Sequence, residues 1–314
     1  MRILPHYRGM AKDTIRFPRV GIHVSAAGGV DLAPARAREI GCEGFQIFSS
    51  SPRQWRQSAL DPARAKAMLA HRKEWSLGPL AIHCSYLINL AAADAVIQQR
   101  SRMALRGELE RARALEAEFL VLHPGVVGGQ SESEAGADAA SPAAPAGERA
   151  AAVQRLLEGI AAAAQGFDWG PVNLLIENTA GGSRLAGDFR ELRQILDGLA
   201  GLPAAACLDT CHCWVAGYDW STPERYAQFM QTLEHDLGGK RVRLWHANDT
   251  QSGLASRLDR HWHIGEGKLG DAAFRSLLQD PRWSQTAFLA ETPVDAPGDE
   301  ARNVAALKRL RTTA

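Results

Sequence analysis

Eight short apolar segments, each followed by a stretch of helical periodicity, constrain the fold of this 314-residue chain more than any other feature. The apolar segments are rich in Val, Ile, Leu and Phe, and the stretches between them are rich in Ala and Arg. Repeated units of this kind form parallel sheets, because each helix returns the chain to the start of the next strand. The predicted strands are 20–26, 44–49, 80–85, 119–125, 173–179, 205–212, 242–249 and 286–292. The predicted helices are 32–41, 61–76, 92–117, 147–166, 188–199, 223–237, 270–280 and 299–311. Eight units predict a closed (β/α)8 TIM barrel, an α/β fold.

A barrel of eight units typically needs about 250 residues, which leaves room for one domain plus extensions. We therefore expect residues 20–314 to form a single catalytic domain, preceded by an N-terminal extension over residues 1–19. The segment 128–147 contains no aromatic or β-branched residue and cannot bury much surface, which predicts a low-complexity insertion after the fourth strand.

Composition excludes several classes of protein. Hydrophobic residues make up 46% of the chain, and no apolar run approaches the roughly 18 residues that span a bilayer. The N-terminus lacks the apolar segment of a secretory signal, and five cysteines do not suggest a disulfide framework, so we expect a cytoplasmic protein. The net charge of +1 argues against binding of nucleic acid through a generally basic surface.

Histidines and carboxylates follow the apolar part of most predicted strands. The chain has ten histidines, yet five of them lie at or just beyond the ends of the third to seventh strands. In a TIM barrel these strand ends meet at one rim, where active sites are built. With four carboxylates they give nine candidate metal ligands: His83, His123, Glu177, Asp209, His212, His246, Asp259, His261 and Glu291.

Nine ligands are too many for one catalytic zinc, which takes about three protein side chains and keeps a position for water. The count therefore implies two or three metals. Four carboxylates around one divalent ion leave a charge of about −2, whereas three divalent ions leave about +2, which attracts a phosphate. The mixed nitrogen and oxygen ligands suit zinc, and manganese or iron is compatible with a carboxylate-rich position.

Two other patterns are weaker. Cys207, Cys211 and Cys213 are close enough in sequence to form a thiolate site, but strand alternation would point them to different faces, and small buried cysteines are common. The GEGK sequence at 265–268 lacks the upstream glycine and downstream Ser/Thr of a Walker phosphate loop, so no nucleotide cofactor is predicted.

Nine sequence motifs together resemble those of the endonuclease IV (deoxyribonuclease IV) family of apurinic/apyrimidinic endonucleases, AP endonuclease family 2. The motifs are GIHVSAAGG, FQIFSSSPRQW, HCSYLINLA, HPG, IENTAGG, LDTCHCWVAGYD, HANDT, SRLDRHWHIGEG and AETP, and they run in order from about Val20 to Pro293. The resemblance implies a base excision repair hydrolase that cuts the phosphodiester 5′ to an abasic site in duplex DNA. The expected products carry a 3′-hydroxyl and a 5′-deoxyribose phosphate.

The resemblance also implies three zinc ions per chain and a role for each ligand. The implied sets are His83, His123 and Glu177; Glu177 as a bridge with Asp209, His246 and Glu291; and His212, Asp259 and His261. Glu177 and Glu291 are the expected catalytic residues, and Glu291 would orient or deprotonate the attacking water. Among expected DNA contacts, Arg53 resembles a penetrating arginine, and Tyr86 and Leu87 resemble residues that fill the vacated stack. Packing at a loop is the alternative for Tyr86 and Leu87.

The chain departs from the family pattern at two positions near the ligands. Cys84 follows His83 where the family usually has aspartate, which could alter the orientation of the imidazole. Trp262 stands where histidine is common. Neither change removes a ligand, and we expect a monomer that acts on double-stranded DNA.

Two other functions are compatible with a metal-binding barrel. A metal-dependent sugar or sugar-phosphate isomerase or epimerase of the xylose-isomerase type would need only about four convergent ligands. It would not need loops whose side chains enter a DNA duplex. A non-cleaving binder of damaged DNA would not need both Glu177 and Glu291. The nine ligands and the SPRQW and SYLINL loops favour the nuclease.

Overall fold

The computed structural model describes residues 17–128 and 144–312. Within these ranges, eight parallel strands form a closed barrel in the order β1-β10-β7-β6-β5-β4-β3-β2. The barrel strands are β1 Arg19–His23, β2 Gly44–Phe48, β3 Leu80–His83, β4 Phe119–Leu122, β5 Asn173–Glu177, β6 Ala204–Asp209, β7 Val242–His246 and β10 Ala287–Ala290. Pairing of β1 with β10 closes the sheet, which confirms the predicted TIM barrel.

Helices surround the barrel and connect its strands. They are α1 Ala33–Ile40, α2 Pro62–Glu74, α3 Ala95–Ala114, α4 Ala146–Ala164, α5 Phe189–Gly198, α6 Thr210–Ala216, α7 Pro223–Asp236, α8 Gly270–Leu278 and α9 Asp299–Arg311. Side chains cap the N-termini of α2 and α7, because Asp61 and Thr222 accept hydrogen bonds from the first turns of those helices.

Side chains fill the inside of the barrel, so it is a packed core and not a pore. Aliphatic and aromatic residues from alternate positions of the strands form this layer, together with one cysteine: Ala81, Phe119, Val121, Leu175, Cys207, Leu244, Ala287 and Leu289. A second, larger apolar cluster lies between the strands and the helices. The inner layer forms a solid floor beneath the C-terminal rim.

The predicted strands extended too far at their C-terminal ends. The clearest error is the segment 205–212, whose last three residues are helical and not extended. The side chain of Asp209 accepts a hydrogen bond from the backbone N–H of His212 at 2.8 Å, which caps α6 and ends β6. Asp209 and His212 thus lie at a strand–helix junction.

A short hairpin after β7 was not predicted. Strands β8 Asp249–Thr250 and β9 His261–Trp262 pair antiparallel above the rim. The buried carboxylate of Asp249 accepts hydrogen bonds from four backbone N–H groups of the following loop, those of Gly265, Gly267, Leu269 and Gly270. One carboxylate therefore fixes the GEGK loop against the hairpin that carries His261.

Most of the predicted N-terminal extension and most of the predicted insertion lie outside the described residues, at 1–16 and 129–143. Among the helices of the described ranges, none is long and apolar enough to cross a membrane.

Candidate metal centre

All nine predicted ligand residues lie at the C-terminal rim of the barrel. Their potential ligand atoms form three groups, and within each group the atoms lie within 4.8 Å of one another. The groups are His83, His123 and Glu177; Glu177, Asp209, His246 and Glu291; and His212, Asp259 and His261. The structure brings together the same sets that the motifs suggested, with Glu177 shared by two of them.

Glu177 ends β5 and is fully buried. Its Oε2 atom lies 3.4 Å from His83 Nε2 and 3.1 Å from His123 Nε2. Its Oε1 atom lies 3.0 Å from His246 Nδ1, on the other side of the carboxylate. One carboxylate therefore faces two groups of imidazoles, one with each oxygen.

The rings of His83 and His123 converge on one point, with their Nε2 atoms 3.3 Å apart. His83 Nδ1 donates to the backbone oxygen of Cys84 at 2.7 Å, which leaves its Nε2 lone pair available to a cation. The contact uses the backbone of residue 84, so the replacement of aspartate by cysteine does not remove the group that orients the ring.

The third group is held in a similar way. His212 Nδ1 lies 2.9 Å from the backbone oxygen of Asn178, and His261 Nδ1 lies 3.2 Å from that of Glu291. Both rings turn Nε2 toward the carboxylate of Asp259, at 3.0 and 3.2 Å. Backbone carbonyls thus select the tautomer that presents Nε2 to a metal.

Three polar residues that the sequence analysis missed support the ligands. Gln46 contacts both His246 and Glu291. The Asn178 side chain accepts from the Asp209 backbone N–H at 2.6 Å, and Asn248 Nδ2 donates to Asp209 Oδ2 at 2.5 Å. A sequence signal exists for each: Asn178 and Asn248 closely follow predicted ligands, and Gln46 is a polar residue within the apolar run FQIF.

The electrostatics of the centre couple its acids to its bases. Burial alone would lower the pKa of His212, but the carboxylates of Asp209 and Asp259 outweigh burial and raise this pKa to about 9. Burial likewise opposes the charge of His246, yet Glu177 and Glu291 raise its pKa to about 8. Although burial favours its neutral form, Glu177 has a pKa well below the usual range, because His246 and His123 stabilise its charge. Glu177 is therefore ionised and ready to bind a cation.

The residues present fit a metal group. Glu177 Oε2 and His261 Nε2 are buried atoms whose close contacts with His123 and Asp259 lack hydrogen-bond geometry, which is costly unless a cation satisfies them. Five imidazoles and four carboxylates form the kind of mixed nitrogen and oxygen set that zinc prefers. Imidazole nitrogens converge on carboxylate oxygens in each group, buried at Glu177 and Asp209 and half-buried at Asp259, which is the arrangement that divalent ions stabilise.

The cysteines do not form a site of their own. Burial raises the pKa of the thiols of Cys207, Cys211 and Cys213 well above the usual range. In the described ranges, no three cysteine sulfurs lie within 4.8 Å of one another. Cys207 belongs to the apolar floor of the barrel, in agreement with the packing interpretation.

A cleft of about 690 Å³ opens over the centre. Its walls include all three predicted DNA-contacting residues together with four of the predicted ligands: Arg53, Tyr86, Leu87, His123, His212, Asp259 and His261. The centroid of the Tyr86 ring lies 5.4 Å from that of His83, so the loop that carries Tyr86 and Leu87 packs against the candidate metal centre. Arg184 and Thr179 also line the cleft and were not predicted.

Comparison with known proteins places the chain in a family. The family model of the xylose isomerase-like TIM barrel matches residues 34–313. A protein named probable endonuclease 4 from Solibacter usitatus is 43% identical over 296 residues, which cover 93% of this chain and 96% of that protein. Endonuclease IV from Thermus thermophilus is 36% identical in a structural match that covers 93% of this chain and 98% of that chain, with a TM-score of 0.77. The chain belongs to the endonuclease IV family. Membership of this family identifies it as an enzyme of the nuclease type.

Sugar epimerases share the fold without sharing the sequence. A D-allulose 3-epimerase from Methylomonas sp. is 16% identical, with a TM-score of 0.62 over 95% of this chain and 98% of that chain. At this identity the similarity concerns the barrel alone. The endonuclease IV family is therefore set apart by its site and not by its architecture.

Proposed function

We propose that this protein is a zinc-dependent endonuclease that cuts duplex DNA on the 5′ side of abasic sites. The products carry a 3′-hydroxyl and a 5′-deoxyribose phosphate. The observation that carries this proposal is the placement of Glu177, whose two oxygens face two imidazole groups beneath a cleft lined by Arg53, Tyr86 and Leu87.

Three zinc ions are the proposed cofactor, held by the three groups of side chains described above. When bound, they would supply Lewis-acid stabilisation of the phosphate charge and would favour ionisation of an attacking water. Their charge also explains how a protein of net charge +1 attracts a phosphodiester locally.

Glu291 is the proposed proton acceptor for the attacking water. Its Oε2 atom lies 3.1 Å from His246 Nδ1, so the carboxylate borders the metal centre. Its side chain is 13% exposed, whereas that of Glu177 is fully buried. Water can therefore reach Glu291, and Glu177 is restricted to holding charge and metal.

Abasic DNA suits the cleft for an energetic reason. Enzymes that work on a nucleotide inside a duplex must turn it out of the stack, and the cost is lowest where a base is already missing. We propose that Arg53, Tyr86 and Leu87 enter the duplex and occupy the vacated space. Exposed Arg53 and half-buried Tyr86 and Leu87 line the cleft over the centre, which supports this role.

An isomerase or epimerase is the alternative for this barrel. The wedge side chains in the same cleft as the predicted ligands favour the nuclease, because a small sugar has no stack to be filled. Retention of both Glu177 and Glu291 at the centre likewise favours cleavage over binding alone.

We propose that residues 20–314 act as one catalytic domain in a monomer.

The position of the cut tests the proposal. A duplex with one abasic site and a label on each end of the damaged strand should yield a fragment whose 3′ end a DNA polymerase extends directly. The same duplex with an intact base at that position is the control and should stay uncut. A cut on the 3′ side, or equal cutting of both duplexes, would contradict the assignment.

A further inference from the structure

Gln46 lies on β2, outside the predicted ligand set, and is fully buried. Its Oε1 atom lies 2.9 Å from His246 Nε2, and its Nε2 atom lies 2.5 Å from Glu291 Oε1. We propose that Gln46 is a positioning residue that fixes the ring of His246 and the carboxylate of Glu291 relative to each other. This inference rests on the proposed function, because it concerns the two residues that would bind one metal and activate the water.

The direction of each hydrogen bond follows from the chemistry of the groups. An ionised Glu291 can only accept, so the amide nitrogen of Gln46 must face it. The amide oxygen then accepts the Nε2 proton of His246. In the neutral ring, His246 Nδ1 is left without a proton and points between Glu177 Oε1 and Glu291 Oε2, at 3.0 and 3.1 Å. Gln46 thereby selects the metal-binding tautomer of His246.

His246 differs from three other imidazoles of the centre in how it is held. The Nδ1 atoms of His83, His212 and His261 contact backbone oxygens, which a substitution at the contacted residue does not remove. His246 instead depends on the side chain of Gln46. Its orientation is therefore open to a test by mutation.

His23 holds the amide from the opposite side. Gln46 and His23 pair across β2 and β1, and Gln46 Nε2 lies 3.2 Å from His23 Nδ1. The two amide hydrogens are thus directed to His23 and Glu291. A rotated amide would place its oxygen against the Glu291 carboxylate and its nitrogen against the His246 N–H, so both contacts would be lost.

Two variants test the proposal. Gln46→Met keeps the length of the side chain and removes both polar atoms, so kcat on abasic DNA should fall about 10- to 100-fold with KM unchanged. Gln46→Glu keeps an acceptor for His246 but faces Glu291 with a second carboxylate at neutral pH. The activity of Gln46→Glu relative to wild type should rise as the pH falls, because the introduced carboxyl group, once protonated, can donate to Glu291 again.

Zinc retention supplies a readout that does not depend on activity. Zinc release to a chromophoric chelator should include a faster phase of about one zinc per chain in Gln46→Met, and two zincs should leave at the wild-type rate. Gln279→Met is the matched control, since Gln279 donates to the backbone oxygens of Leu310 and Thr312, away from the rim. It should match wild type in kcat and zinc release.

The outcomes separate this inference from the proposed function. Wild-type zinc release and kcat in Gln46→Met would overturn the inference. A Gln46→Glu variant that thermal unfolding shows to be folded, and whose activity has the same pH profile as wild type, would also overturn it. If wild type itself leaves abasic DNA intact, the proposed function fails, while the zinc-release phase still decides whether Gln46 positions His246.

Discussion

At the scale of single residues, Glu177 and Glu291 have different surroundings although both are carboxylates at strand ends. Glu177 is fully buried among imidazoles, whereas the side chain of Glu291 is 13% exposed. Burial favours a structural and electrostatic role, and access to water favours a role in proton transfer. The two residues should therefore respond differently to substitution.

Glu291→Gln should retain binding of abasic duplex and lose cleavage by several orders of magnitude, because an amide cannot accept the proton of the attacking water. The measurement is single-turnover cleavage beside a binding titration with the same duplex. Glu266→Gln is a suitable control, since Glu266 is an exposed residue that pairs with Arg302. Near-normal turnover in Glu291→Gln would remove the assigned role.

Cys84→Ala should leave zinc content and kcat close to wild type. The ring of His83 is oriented by the backbone oxygen at position 84, and alanine keeps that oxygen. Loss of the buried sulfur should lower the free energy of unfolding by about 1 kcal/mol. Metal analysis and steady-state kinetics check this expectation, and loss of a zinc would show that the thiol itself matters.

The raised pKa values of His212 and His246 predict an effect of pH on the metal-free protein. When they are protonated, these rings pair with carboxylates and stabilise the fold. This stabilisation is fully present at pH values below 6.5, the pKa of histidine in the unfolded chain. This contribution is lost as the pH rises through about 8 for His246 and about 9 for His212. The proposed zinc ions would bind the neutral rings, so zinc affinity should rise over the same pH range.

The difference in Tm between zinc-loaded and chelated protein should therefore widen from pH 6.5 to pH 9. Thermal unfolding of both forms in buffers that do not bind zinc is the measurement. A difference that stays constant or narrows would show that these imidazoles do not hold the metal.

At the scale of elements, several strands end at a predicted ligand, and the chain turns immediately after it. Asp209 ends β6 and caps α6, so one residue both offers a ligand atom and places His212 one turn away. The β8–β9 hairpin brings His261 over the rim, and the backbone N–H of Lys268 in the GEGK loop donates to the backbone oxygen of Thr250 in this hairpin at 2.7 Å. Short, capped elements thus hold the third group of predicted ligands.

Asp249→Asn tests this support. The Asp249 carboxylate accepts from four backbone N–H groups of the loop, and an amide can satisfy only part of them. Each buried donor that loses its partner lowers the free energy of unfolding by about 1–3 kcal/mol. The variant should therefore unfold at a lower urea concentration than wild type.

Zinc loss from Asp249→Asn should be faster at the position held by His212, Asp259 and His261 than at the other two. Asp271→Asn is the control, because Asp271 pairs with Arg309 on the surface. Uniform loss of all three zincs would show that the loop does not act on that position selectively.

At the scale of the whole molecule, the repeated units of the sequence predicted the barrel, because each strand and helix has a periodicity of its own. The nine candidate ligands were predicted because parallel strands bring their C-terminal ends together. The exact ends of strands were wrong where a local side chain decided them, as at Asp209. Gln46 was missed because its role depends on β7 and β10, which lie far away in the sequence.

Cleavage that depends on zinc is the central claim, and one measurement tests it most directly. Purified protein without added magnesium is given a duplex with one abasic site, under single-turnover conditions, before chelation, after prolonged chelation and after zinc is restored. We predict a nick on the 5′ side of the lesion that disappears with the metal and returns with about three zinc ions per chain. Intact abasic DNA in the presence of protein that demonstrably holds its zinc would contradict the account.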